Sequence, residues 1–141
     1  MKTLDEVREY LSKVSYIDLG GCGISALAMI RWINKNMRNK KVLINFTHNS
    51  CSYYNDNKDY FENGKGKVCA PSHIVLRYKR KYFDCRMEYK LKDLDRILKT
   101  NHEEILLEAI NNIGTWNDKF QRKYVKKIQK DLDIDLSDVL I

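Results

Sequence analysis

The stretch Gly20-Gly21-Cys22-Gly23 places a thiol directly after two adjacent glycines and directly before an apolar run, Ile24 to Ile30. Paired glycines allow a tight turn and close backbone approach. An apolar run after such a turn reads as a buried helix, so Cys22 is expected at a helix N-terminus. The positive end of a helix dipole favours thiolate, and the free first-turn amides can receive a developing oxyanion. A thiolate attacks carbonyl carbon best with an imidazole beside it to carry the proton. His73 is the candidate base, at the first position of a predicted strand, where a side chain projects from the sheet end. Asp84 lies across a predicted hairpin with its turn near Lys79-Arg80. That pairing puts residues 84–86 opposite or diagonal to His73, where a carboxylate can orient the ring. Singly, each has a plainer reading: a small buried cysteine, a core or surface histidine, a solvated strand-end carboxylate. Together they describe a nucleophile, a base and an orienting group.

These three residues need elements to hold them. Residues 3–14 read as a first helix, with Thr3 as cap, Glu6 three residues on, and Leu4, Val7, Leu11 and Val14 as one apolar stripe. A second helix runs from about residue 22 to 37. Residues 41–48 read as a strand, 49–70 as a long polar loop with a short helical turn near Tyr60, 72–78 as a second strand and 81–87 as a third. From residue 91 the pattern reads as helical through Leu91, Leu94 and Leu98 to Ile113. A last basic helix covers 117–130, with Phe120, Tyr124, Val125 and Ile128 on its apolar face. Helices, then a short run of strands, then helices make an α+β arrangement. The expectation is one domain over 1–141, with a core at about 16–90 and a C-terminal helical extension at about 91–141.

The wider stretch Asp18-Leu19-Gly20-Gly21-Cys22-Gly23-Ile24-Ser25-Ala26, followed about fifty residues later by Ser72-His73-Ile74-Val75 and then Tyr82-Phe83-Asp84-Cys85, resembles the papain-like cysteine peptidase superfamily. It looks most like the compact versions found in bacteriophages, and residues 16–87 carry the likeness. The resemblance implies a Cys22–His73–Asp84 triad on a helix packed against a small antiparallel sheet. It implies a thiol hydrolase acting on a protein or peptide through an acyl-enzyme, without a cofactor. Virion proteins join the expected partners, and host cytoplasm or virion the expected locations, if the chain is phage-derived. Papain relatives carry a glutamine shortly before the nucleophile and a tryptophan after it. Here Tyr16, Ile17 and Asp18 precede Cys22, and the tryptophan is missing. The oxyanion role falls to the Gly21–Cys22 backbone or to Asp18. An anionic Asp18 would repel an oxyanion, so it reads first as a structural cap.

Composition sets the limits. The chain has 141 residues, 43% hydrophobic and 32% charged, as in an ordinary globular domain. The start is charged rather than signal-like and the longest apolar run is too short for a bilayer, so a cytoplasmic setting without membrane partners is expected. Four cysteines without a Cys-x-x-Cys pair read as free thiols and no metal site. The alternative is a mixed metal set of His48, Cys51, Cys69 and His73, which the ligand spacing disfavours. The formal net charge of +7 permits nucleic-acid binding without requiring it. Two alternatives to the hydrolase therefore stand: a non-catalytic structural or virion-associated protein on the same fold, and a basic nucleic-acid-binding module. The latter rests on Lys119, Arg122, Lys123, Lys126, Lys127 and Lys130 of the last helix, a pattern that also suits a merely solvated face.

Overall fold

A computed structural model describes residues 1–15, 17, 21–66, 68–69, 71–113 and 119–139, with side chains at 113 and 119–121 outside the description. The described residues form an α+β fold. Its helices are α1 (Leu4–Ser12), α2 (Cys22–Asn36), α3 (Cys51–Asn63), α4 (Glu103–Ile113) and α5 (Lys119–Leu132). Its strands are β1 (Leu43–Thr47), β2 (His73–Tyr78), β3 (Lys81–Phe83), β4 (Glu88–Tyr89) and β5 (Leu98–Thr100), with a 3₁₀ turn at Leu91–Asp93. All pairings are antiparallel, in the order β4-β3-β2-β1-β5.

The centre of the molecule is α2. Ile24, Leu27, Ala28 and Ile33 have no exposed surface, and Ala26, Met29, Ile30 and Trp32 have almost none. A helix apolar on most of its circumference must be covered on most of its circumference. α1, α4, α5 and β2 provide that cover. Gly23 is where the packing is tightest: a methyl group there would stand 2.7 Å from Ile110 Cγ1. The glycine after the cysteine therefore lets α4 approach α2. Thr3 caps α1 through its hydroxyl, which accepts from the Glu6 amide, and α1 buries Val7 and Leu11.

Two expectations need correction. Residues 51–63 are a helix, not loop. Its sequence is polar and buries only Asn57 fully, so it carries little apolar periodicity. It is ended by Gly64 in the left-handed conformation, φ 67°, whose amide bonds the Tyr60 carbonyl. Asn57 then receives the Cys69 amide at 2.9 Å, fixing the approach to β2. The helical pattern expected from residue 91 also starts too early: residues 91–100 hold a 3₁₀ turn and a strand, and helix begins at α4. Leu98 belongs to β5, which pairs with β1, so this part of the chain completes the sheet. β3 stops at Phe83, short of residue 87, and β4 follows a turn at residues 84–87.

The tail after α5 is part of the core through Ile134, Leu136 and Val139. Arg31 of α2 anchors it with a two-pronged bond to Asp138 (2.5 and 2.7 Å), a bond to the Asp135 carbonyl (2.7 Å) and one to Glu103 of α4 (3.0 Å). Planar guanidinium matches carboxylate geometry, which makes such pairs directional as well as attractive. Phe120, expected on the apolar face of α5, lies outside the described side chains. Val125 and Ile128 are buried and Tyr124 packs against the core.

At the other end of the sheet, the β2–β3 hairpin turns through Lys79 (φ 49°) and Arg80 (φ 68°). Two successive left-handed residues match the twist of a hairpin, and asparagine and glycine usually hold those places. A residue bearing a Cβ costs about 1–2 kcal/mol there. No helix among the described residues is long and apolar enough to cross a membrane.

Candidate active site

Cys22 opens α2, with Gly21 as the N-cap. Gly21 has no side chain to cap this helix start, so among the described residues its first-turn amides have no side-chain acceptor at the N-cap. The thiol is half-buried. Asp18 and Gly20 lie outside the described residues, so the local setting of the helix is drawn from Gly21 onward.

His73 begins β2 and is held by the end of β1. Its carbonyl accepts from the Thr47 hydroxyl at 3.3 Å, and the neighbouring Ser72 amide donates to the Thr47 carbonyl at 2.8 Å. The imidazole Nε2 lies 2.8 Å from Asp84 Oδ2. With Nε2 engaged, Nδ1 is the nitrogen left for Cys22. The imidazole is pushed up to about 9, first by its hydrogen bond to Asp84 and then by the Cys22 side chain, against the opposing effect of burial. His73 is accordingly held as an imidazolium at neutral pH, bonded to the Asp84 carboxylate and raised further by the nearby Cys22 side chain. Its side chain keeps 35% of its surface exposed, whereas that of Asp84 keeps 14%.

Asp84 occupies the turn between β3 and β4. Oδ1 accepts from the amides of Arg86 (2.7 Å) and Met87 (2.8 Å), which closes the turn. Oδ2 receives His73 and the Tyr89 hydroxyl, the latter at 2.6 Å. Burial works against ionisation here, but the bonds from His73, Tyr89, Met87 and Arg86 outweigh it and hold the carboxyl well below the usual range. Arg8 of α1 donates to the Asp84 carbonyl at 2.9 Å while its guanidinium covers Phe83. Sheet register explains the convergence. Arg77 pairs with Tyr82 and Tyr82 with Tyr89. Alternation along each strand then puts His73, Asp84 and Tyr89 on one side of the sheet.

Two contributors were missed in the sequence. Tyr89 bonds Asp84, and its oxygen lies 3.3 Å from His73 Nε2 with the two rings tilted at 5.9 Å. Reading residues 81–87 as one strand hid the turn that carries Tyr89 back. Arg8 had no local signal at all, since its partner is 76 residues away.

The remaining thiols are placed differently. All four cysteines are free. Cys51 is exposed at the start of α3. Burial pushes the Cys85 thiol up. Among the described residues, no group of three or more His, Cys, Asp or Glu side chains is arranged to hold a metal, so His48, Cys51, Cys69 and His73 do not converge as one. His48 is instead sealed in the core, 1% exposed, and burial lowers its pKa. Compared with family models, curated proteins and solved structures, the chain matches none.

Proposed function

We propose that the protein is a thiol hydrolase of papain-like type, cleaving an amide or ester carbonyl in a protein or peptide through an acyl-enzyme on Cys22. The observation that carries this reading is the His73 imidazole bonded to Asp84 Oδ2 at 2.8 Å and raised also by Cys22, the residue that opens a buried helix. In the proposed reaction the Cys22 sulfur attacks the carbonyl carbon. The resulting oxyanion is met by the uncapped amides at the Gly21–Cys22 turn. His73 passes its proton to the leaving group, which departs, and the acyl group stays on sulfur. His73, now neutral, takes a proton from water as that water attacks the thioester, and Cys22 is released. Asp84 is a positioning residue that fixes the ring and favours its charged form, and Tyr89 positions Asp84.

Two measurements test this together. Cys22 should react with iodoacetamide at about pH 6 faster than Cys51, Cys69 or Cys85, because it opens a buried helix beside the His73 imidazolium. A chromogenic thioester or activated ester should give a burst of one leaving group per chain, abolished in Cys22→Ala and His73→Ala. Equal alkylation of all four thiols, with no burst, would leave the non-catalytic reading on the same fold.

A further inference from the structure

Opposite the thiol end of the sheet lies a second concavity, of about 560 Å³, lined by Asn39, Lys40, Lys41, Val42, Leu43, Arg77, Lys79, Arg80 and Asn101. It sits where β1 begins and β2 ends, so the length of β2 separates it from His73, roughly 15 Å at the usual rise per residue. Five cations line it and no carboxylate does. None of the five pairs with an acidic side chain among the described residues. Arg77 lies over the Tyr82 ring at 5.4 Å and Lys79 over Tyr78 at 5.5 Å. The rim is braced: the buried Tyr78 donates its hydroxyl proton to the Asn39 carbonyl at 2.6 Å, and Asn39 Oδ1 accepts from the Lys41 amide at 3.0 Å.

The turn adds an independent observation. Lys79 and Arg80 both adopt the left-handed conformation that asparagine and glycine favour in such hairpins. Local strain of this kind points toward a role for the side chains placed there. A single small anion would not need five cations around so wide an opening. Large exposed apolar side chains, which a membrane-docking surface would offer, are not found on its lining. Convergent cations on a braced concave surface suit a run of closely spaced phosphates.

We infer that this concavity binds the phosphodiester backbone of a nucleic acid, independently of the thiol site. The contacts are to phosphate, so binding is sequence-tolerant and salt-dependent. Nucleic-acid contact then lies at the β2–β3 turn rather than on the lysines of α5, of which Lys123, Lys126 and Lys127 are exposed.

The test uses the full chain, a fluorescein-labelled mixed-sequence DNA duplex of about two helical turns, and anisotropy from about 50 mM salt upward. The double variant Lys79→Asn/Arg80→Gly gives the hairpin its preferred turn residues, so its melting temperature should hold or rise. Its affinity should fall at least tenfold, and the slope of log K against log salt should shrink by about 2. The triple variant Lys123→Ser/Lys126→Ser/Lys127→Ser should bind within about twofold of wild type. Cys22 alkylation should be unchanged in both. No binding at low salt would overturn the inference. So would loss of affinity in the α5 variant alone, displacement by inorganic phosphate at equal charge, or binding to phosphatidylserine vesicles without binding to the duplex.

Discussion

At Asp84 the two carboxylate oxygens do different work. Oδ1 closes a turn and Oδ2 holds an imidazole and a phenol. Asp84→Asn keeps the shape but removes the charge that first raises His73. The His73 ring should then titrate well below about 9, nearer the ordinary histidine value of about 6.5. A proton NMR titration of the His73 ring would read this directly, and superimposable curves would remove Asp84 from the site. Tyr89→Phe takes one donor from the same oxygen and should slow the proposed acylation less than Asp84→Asn, since members of such a cluster contribute unequally. Cys22, His73 and Asp84 were legible in the sequence because each belongs to a short local pattern: a glycine turn, a strand start, a hairpin partner. Tyr89 was not, because its place depends on where a three-residue strand stops. Nothing in the spacing of residues 81–89 marks that point except the Asp84 side chain itself.

Among the elements, α2 carries the heaviest constraint, since it must be buried on nearly all sides while keeping its N-terminus open. Gly23 reconciles the two by letting Ile110 of α4 approach next to the cysteine. Gly23→Ala should destabilise the fold by about 1–3 kcal/mol, the usual cost of overpacking. A urea midpoint would measure it, and an unchanged midpoint would mean that Ile110 yields freely. The apolar elements were legible for the reason α2 was: burial on one or more faces writes a period into the sequence. α3 was not, because it packs through aromatic rings and one buried amide. Phe61 meets Phe46 edge-on at 5.5 Å, and the Tyr60 hydroxyl donates to Glu108 of α4. Its readable marks were its ends, Ser50 and Gly64. β5 failed in the opposite way. Leu91, Leu94 and Leu98 have helical spacing by coincidence, and the demand of β1 for a partner on its open side overrode it.

For the molecule as a whole, two histidines bend stability in opposite directions as pH changes. His73 has a folded pKa of about 9, above its unfolded value of about 6.5. Its contribution is complete below about 6.5 and is lost as pH rises through about 9. With a third of the side chain open to water, that contribution is about 1–2 kcal/mol. His48 is buried with both ring nitrogens unpartnered, and its folded pKa is lowered. It adds no pH dependence above about 6.5 and destabilises the fold further as pH falls below that value. Asp84 acts in the same sense at lower pH, its contribution being lost as its carboxylate is protonated. Urea midpoints should therefore be highest near neutrality and decline on both sides. His73→Gln should flatten the alkaline limb and keep the His48 part of the acid limb, while weakening the Asp84 part, which depends on the His73 bond. An alkaline limb unaltered by that change would show that the His73–Asp84 pair contributes nothing to folding.

The strand that returns Tyr89 to the site is two residues long and lies at the outer edge of the sheet. Edge backbone of this length opens by fraying far more often than a sheet interior does. Because Asp84 both closes that turn and steadies the imidazole, each opening also loosens the His73–Asp84–Tyr89 cluster. The chain should thus pass through a dormant folded form, with α2 and the sheet centre intact and the thiol unassisted. On warming, reactivity at Cys22 should fade several degrees before the core melts. Hydrogen exchange at Met87 and Tyr89 should outpace exchange at Leu76 by orders of magnitude. Matched loss of reactivity and core structure would mean that edge and core open as one unit.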